Sequence, residues 1–272
     1  GGIDSAILAK FLPKGTKTYT FKCVVPGIEV TDETPVASRY AADCGLDNEV
    51  IEIYWDDFVT YAPVLMRAKG APIHSIEVQI YKAALKAKRD GIDILIFGEA
   101  ADAIYGGQSS ILSRDWTIGE FIERYSYVMP YKVLRKFDLP IETIARWEHN
   151  GTVDPYIFMS HEYIQESVSA YINAVQTAGI NFKLPYAETR LNGEINYTRI
   201  RSGENKYIVR ELFHALYPSF AVPPKTPMPR PMNEWLKDWK GPSRTEFWNN
   251  CVLNLSGDQK WLLWSLEQYL NL

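Results

Sequence analysis

The stretch IDILIFGEAADAIYGG, residues 92–107, decides the fold class. Its apolar start, residues 92–98, is typical of a short buried strand in a parallel sheet. The acidic turn that follows would lie at the carboxyl edge of that sheet, where open α/β folds bind ligands. Glu99 and Asp102 are three residues apart, so a helical turn would present both carboxylates on one face. A capped, solvated turn would give the same pattern, and this stretch alone leaves both interpretations open.

Strand and helix patterns alternate before this stretch. TYTFKCVV, residues 18–25, and NEVIEIYW, residues 48–55, are β-rich runs. Helical spacing of apolar residues marks 31–45 and 75–90, and a glycine ends each segment. This order predicts an α/β fold with a doubly wound parallel sheet.

The pattern changes to helices after Gly107, which predicts an α/β core over 1–110 and a mainly helical part over 111–272 of one domain. Four helices are predicted there: from Thr117 to about Lys136, from Pro140, over 160–178, and from Ser202 to Pro218. Two capping-box patterns occur, Thr117 with Glu120 and Ser243 with Glu246.

Composition limits the class of protein. The 272 residues are 46% hydrophobic and 23% charged, which suits a globular protein with a sizeable core. The net charge of −4 gives no general attraction to nucleic acid, and no apolar run is long enough for a membrane span. The three cysteines form no CxxC pair, which favours a reducing, cytoplasmic location.

The first residues, GGIDSAILAKF, resemble an anion site. A glycine-rich turn that opens a helix presents backbone N–H groups to phosphate, and the Ser5 hydroxyl can add a hydrogen bond. Asp4 would repel phosphate unless Mg²⁺ lies between them, because hard cations bind both kinds of oxygen. An ordinary helix N-cap explains the same residues. Because no strand precedes Gly1, we expect the sequence to be an excerpt that lacks its first strand.

Taken together and in this order, the motifs resemble those of one family. GGIDS is similar to the end of the S-G-G-x-D-S loop of the N-type ATP pyrophosphatases, and GEAADAIYGG resembles S-G-E-G-x-D-E-x-x-G-G of the asparagine synthetase and β-lactam synthetase branch. LPYAETRLNGEIN, ENKYIVRELFHALYP and the proline-rich loop PPKTPMPRPMNEW also resemble segments of that branch. In that loop, Lys225 and Arg230 could line the mouth of an active site, or the loop could be rigid and solvated. The resemblance covers about residues 1–240.

The resemblance implies an adenine nucleotide α-hydrolase-like fold and an ATP- and Mg²⁺-dependent ligase. Such enzymes activate a carboxylate as its acyl-adenylate, release pyrophosphate, and pass the acyl group to ammonia or an amine. The implied catalytic residues are Lys206 and Glu99, and the implied metal ligands are Asp4 and Asp102. The implied ATP and pyrophosphate site consists of Gly1, Gly2, Asp4, Ser5, Gly98 and Asp102.

Several assignments stay open at this point. Phe97, Ala100 and Ala103 stand where the family usually has Ser, Gly and Glu, which leaves a catalytically degenerate ATP-binding relative as an alternative. Glu99 favours amide formation over the β-lactam synthetase-like cyclase, which has Tyr there. A tRNA-modifying enzyme is disfavoured by the acidic charge. The carboxylate, aspartate being the family's commonest, and the oligomeric state are not specified. The nitrogen source, including a glutaminase domain upstream or in trans, also stays open.

Overall fold

A computed structural model describes residues 1–224 and 227–272 of the chain. Helices and strands alternate in its first part, except that two helices separate β2 from β3. The elements are α1 Ile3–Ala9, β1 Lys17–Cys23, α2 Thr34–Cys44, β2 Asp47–Ile53, α3 Trp55–Lys69, α4 Ile76–Arg89 and β3 Ile94–Ile96. Within the described ranges, no helix is both long and apolar enough to cross a membrane.

Short helices dominate the remainder of the described chain. They are α5 Ala101–Ile104, α6 Ser109–Leu112, α7 Ile118–Ser126, α8 Pro130–Val133, α9 Ile141–Ala145, α10 Pro155–Phe158, α11 Ile164–Ala178, α12 Tyr197–Arg201, α13 Tyr207–Leu216, α14 Met232–Trp235 and α15 Gly257–Leu270. A π-helical turn, Met159–Tyr163, joins α10 to α11, and a 3₁₀ turn spans Pro185–Glu188. The remaining strands are β4 Glu148–His149, β5 Thr152–Val153 and β6 Asn181–Lys183.

The strands confirm a mixed α/β fold with parallel pairing. β1 pairs with β2 in parallel along its whole length, and β3 pairs in parallel with β6. β4 and β5 form a separate antiparallel ribbon. The two parallel pairs are distinct two-stranded sheets among the described residues, so the doubly wound sheet stays a prediction.

The hydrophobic core draws on both parts of the chain. α3, α4, α11 and α15 contribute fully buried side chains such as Phe58, Ile80, Ala174 and Trp261. β6 lies beyond residue 110 but pairs with β3, so the helical part also supplies a strand beside the α/β core. The main core cluster therefore includes residues from both sides of Gly107, whereas apolar residues between 111 and 159 form a further cluster of their own.

The prediction of a buried strand at 92–98 is only partly right. β3 is parallel, but Ile94 and Ile96 each keep 43% of their surface exposed. Side chains alternate along a strand, so these two share one face while Leu95 packs against the core on the other. An apolar run by itself does not indicate which face of its strand is covered.

Helix α3 is absent from the sequence prediction, although its buried residues have helical spacing. Phe58, Ala62, Leu65 and Met66 lie on one face of this 15-residue helix. Pro63 obscured the pattern, because proline removes a backbone donor and usually ends a helix. Burial of one complete face offsets that local cost.

Two helix boundaries differ from prediction for local reasons. The Thr117–Glu120 capping box is confirmed, but α7 ends at Ser126 because Tyr127 has a φ of 61°. Ser202 ends α12 and does not begin α13, which starts at Tyr207.

The predicted capping box of Ser243 and Glu246 is wrong. The Ser243 N–H and hydroxyl both donate to Glu267, and Glu246 pairs with Arg244. The C-terminal capping box instead joins Ser256 and Gln259 at the start of α15. The spacing of Ser and Glu was right for a cap, but both side chains have tertiary or neighbouring partners.

Candidate active site

Helix α1 carries the GGIDS residues and is fixed by its neighbours. Ile3, Ala6 and Ile7 are buried against α2 and α13. Two tyrosine hydroxyls donate to carbonyl groups of α1, Tyr186 to Asp4 at 3.1 Å and Tyr217 to Ala6 at 2.6 Å. This packing brings α1 beside the first turn of α13, although the two helices are about 200 residues apart in sequence.

The acidic turn after β3 meets the same end of α1. Gly98 is required there, because a Cβ on it would lie 2.9 Å from the Ser5 nitrogen and 3.1 Å from the Asp4 Cβ. The backbone of the turn therefore passes directly over the first residues of α1. Gly98, Asp4 and Ser5, which the sequence assigns to one phosphate site, are neighbours in space.

Lys206 joins the two motifs. Its Nζ lies 2.8 and 2.6 Å from the two carboxylate oxygens of Asp4 and 2.7 Å from Oδ1 of Asp102. The lysine side chain is only 8% exposed, against 22% and 29% for the two aspartates. Three distant segments, each of which supplies one predicted site residue, thus meet at the buried ammonium group of Lys206.

The glycine pair of GEAADAIYGG makes this meeting geometrically possible. A Cβ on Gly107 would lie 2.0 Å from Asp102 Oδ1 and 2.6 Å from Cδ of Lys206. Gly106 has a φ of 72°, and its carbonyl accepts from the Lys206 N–H at 3.3 Å. Gly107 lets backbone approach the site closely, and Gly106 supplies the left-handed backbone beside it, roles that the sequence motif alone did not indicate.

The electrostatics keep Lys206 charged. Burial opposes its positive charge, but Asp4 and Asp102 outweigh that effect and raise the pKa of the lysine above its ordinary value. Lys206 also has a left-handed backbone, with φ 51° and ψ 37°. A buried, charged lysine with that backbone differs from an ordinary solvated surface lysine.

Glu99 lies in the same turn but has a different environment. Burial, and then the nearby Glu99 carboxylate with which the Tyr171 hydroxyl interacts, raise the pKa of Tyr171 well above its ordinary value. The Tyr171 ring packs edge-on against Phe97, with 5.0 Å between ring centroids. Tyr171 therefore stays protonated and can donate to Glu99. No sequence motif marked this residue, because it lies on α11, far from the turn in sequence.

The three departures from the family pattern have distinct environments. Phe97 supports the ring of Tyr171. Ala100 and Ala103 are almost fully buried, and Ala100 has a φ of 74°, where glycine is favoured. The turn thus keeps the backbone conformation expected of glycine at position 100, at the cost of local strain.

The site chemistry suits Mg²⁺ in part. Carboxylates are preferred Mg²⁺ ligands, and Mg²⁺ sites commonly use one or two of them with phosphate oxygens and water. No group of three or more His, Cys, Asp or Glu side chains is placed to hold a metal in 1–224 or 227–272. Asp4 and Asp102 could hold the cation together with substrate oxygens, but the Lys206 ammonium now lies between them.

The remaining predicted phosphate-binding groups are accessible. Gly2 and Ser5 are exposed and Gly1 is half-buried. In the proline-rich loop, Lys225 lies outside the described residues, and Arg230 is mostly buried, 3.8 Å from Asp258. A place for Lys225 at the mouth of the site therefore stays a prediction.

The fold and site define an α/β protein with a charged site where two loops and a helix start converge. The chain matches the asparagine synthase family over residues 1–243 and belongs to that family. The match confirms the predicted resemblance, without distinguishing the β-lactam synthetase branch. Family membership implies an ATP-dependent ligase that forms C–N bonds with small-molecule substrates. No curated protein matched the chain.

Proposed function

We propose that this protein is an AMP- and pyrophosphate-forming amide ligase that activates a carboxylate as its acyl-adenylate. The observation that carries the proposal is the meeting of Asp4, Asp102 and Lys206 at one point. These residues come from three distant segments, each similar to a motif of the family. Gly98 packs against Asp4, and Gly107 packs against Asp102 and Lys206. A structural ion pair would not require these glycines, whereas a site that binds a ligand through backbone often does.

The first chemical step is attack of the substrate carboxylate on the α-phosphorus of ATP. The bond to the bridging oxygen breaks, and pyrophosphate leaves. Backbone N–H groups at Gly1 and Gly2 and the Ser5 hydroxyl would hold its oxygens. Mg²⁺, held by Asp4 and Asp102, would supply positive charge to the leaving group. Gly98 allows the acidic turn to approach these groups.

The second step transfers the acyl group. An amine nitrogen attacks the acyl carbon, the bond from that carbon to the AMP oxygen breaks, and AMP leaves. In this proposal Lys206 stabilises negative charge on the acyl-adenylate, and Glu99 accepts the proton that the amine loses. Tyr171 would hold the Glu99 carboxylate in place. Glu99 supports intermolecular amide formation with ammonia or an amine over cyclisation.

The finer assignments belong to the same proposal. Aspartate, as the family name suggests, is the first carboxylate to test, with ammonia as the nitrogen source. A glutaminase upstream or in trans would replace free ammonia by glutamine. In this proposal the parallel pairs β1–β2 and β3–β6 would be parts of one doubly wound sheet. The enzyme would be cytoplasmic, and its assembly as a homo-oligomer is open to test.

Exchange of labelled pyrophosphate into ATP tests the proposal, because it reports adenylate formation without the amine. Wild-type protein should catalyse carboxylate-dependent exchange, and Asp4→Asn and Asp102→Asn should each abolish most of it. Glu99→Gln should retain exchange but form little amide, because its proposed role follows adenylation. Nucleotide binding without exchange for any carboxylate tested would instead indicate the degenerate relative.

A further inference from the structure

The ammonium of Lys206 occupies the place that a divalent cation would need. Its Nζ contacts both oxygens of Asp4 and one of Asp102 at 2.6–2.8 Å. Mg²⁺ binds oxygen at about 2.0–2.1 Å, so a cation shared by the same two carboxylates would nearly coincide with Nζ. The lysine and the metal therefore cannot use this pair of carboxylates at the same time.

Charge makes the two occupants competitors. Asp4, Asp102 and Lys206 together carry a formal charge of −1 when the lysine is protonated. Without the ammonium, the two carboxylates alone carry −2, which attracts a divalent cation far more strongly at these short distances. The burial of Lys206 strengthens this effect, because little water screens the interaction.

The backbone of Lys206 is compatible with a second arrangement. Its φ of 51° is unusual for a residue other than glycine, and such conformations recur at switching sites. Lys206 is also the residue immediately before α13, with no helical residue on its N-terminal side until α12. The flexible four-carbon side chain can leave the carboxylates without moving the helix.

We propose that Lys206 is the resident cation of this site, and that it leaves Asp4 and Asp102 when a divalent cation arrives with the nucleotide. Once ATP is bound, this exchange frees the Lys206 ammonium to reach the acyl group of the proposed acyl-adenylate. The enzyme then has no strong site for metal alone. This inference rests on the proposed function only for the arrival of the cation with ATP.

Binding of Mn²⁺ alone, without nucleotide, tests the exchange by calorimetry or by electron paramagnetic resonance. Lys206→Met removes the charge but keeps most of the side-chain volume. We expect this variant to bind one Mn²⁺ at least about tenfold more tightly than the wild type. Lys86→Met is the matched control, because Lys86 also bridges two carboxylates, Glu49 and Asp90, but is more exposed; it should match the wild type.

Two further measurements keep the test independent of folding and of activity. Mn²⁺ should raise the thermal midpoint of Lys206→Met but leave that of the wild type nearly unchanged. Adding Asp102→Asn to Lys206→Met should abolish the gain. Equal Mn²⁺ affinity in wild type and Lys206→Met, or tight binding by the wild type, would overturn the proposal. Neither result depends on pyrophosphate exchange, which tests the ligase reaction separately.

Discussion

Two lysines of this protein each bridge two carboxylates at nearly the same distances, yet they have little else in common. In the buried cluster, Lys206 contacts Asp4 and Asp102 at 2.6–2.8 Å. In the surface cluster, Lys86 contacts Glu49 and Asp90 at 2.6–2.9 Å. Distance alone therefore does not distinguish a site from a surface network; burial and chain geometry do.

The surface cluster is electrically balanced, and one of its pairs, Lys86 with Asp90, is local. Lys86 and Asp90 are four residues apart on or next to α4, and Lys17 adds a second positive charge beside Glu49 and Asp90. Hydrogen bonds from Lys86 and then Tyr19 lower the pKa of Asp90. Exposed pairs of this kind contribute little net stability, because water solvates the charges well in either state.

The buried cluster is assembled from distant segments and is not balanced. Lys206 is 202 residues from Asp4, and the three groups carry a formal charge of −1. Burying such charges costs desolvation free energy that their mutual attraction only partly offsets. This difference is what we expect if the buried cluster serves binding or chemistry, as proposed, and the surface cluster is an ordinary solvated network.

The largest expected effect comes from comparing two single variants, each of which lacks one of the two lysines. Lys206→Ala should lower the rate of product formation by roughly 10²–10³, because it removes a charged donor to the reacting group. ATP binding, measured by calorimetry, should persist. Lys86→Ala should leave the rate unchanged. If Lys206→Ala turned over normally, the buried cluster would be structural and the contrast between the two clusters would fail.

A second test moves backbone and leaves every charge in place. Gly107→Ala puts a Cβ 2.0 Å from Asp102 Oδ1, so the Asp102–Lys206 contact must shift. Overpacking of this kind costs about 1–3 kcal/mol of stability, and we expect a clear loss of pyrophosphate exchange with it. Gly119→Ala, in α7, is the control, because a Cβ on Gly119 would have no neighbour within 4 Å. Normal exchange in Gly107→Ala would show that the close glycine contact is dispensable.

A smaller effect is expected from the tyrosine beside Glu99. Tyr171→Phe keeps the ring packed on Phe97 but removes the hydroxyl donor to the carboxylate. Without that donor the Glu99 carboxylate is no longer held in place, so amide formation should slow by about tenfold, the cost of one lost hydrogen bond to a charged group. Pyrophosphate exchange should change little. A parallel loss of both activities would indicate only a packing role.

The smallest expected effect concerns stability. Ala100 holds a left-handed φ of 74° in the acidic turn, so Ala100→Gly should relieve strain and stabilise the protein by about 1 kcal/mol. Ala103→Gly, in ordinary helical backbone nearby, should destabilise it by a similar amount. Denaturant unfolding measures both. Destabilisation by Ala100→Gly would mean that packing of the methyl group outweighs the strain.

Local chemistry alone determines much of this fold. β-rich runs predict β1 and β2, and helical patterns with a closing glycine predict α2 and α4, all of which are present. The capping box at Thr117 is right because its partner lies in the same turn. Local patterns fail where tertiary packing overrides local preference, as in α3 around Pro63 and at Ser243, whose partner is Glu267.

The candidate site divides in the same way. The sequence alone supplied Asp4, Glu99, Asp102 and Lys206, because each lies in a motif with a recognisable order of residue types. Only the tertiary structure brought Lys206 between the two aspartates, because its approach depends on α1 packing against α13 and on Gly107 having no side chain. Contacts between residues about 200 positions apart depend on how whole helices pack, and no local sequence pattern encodes that.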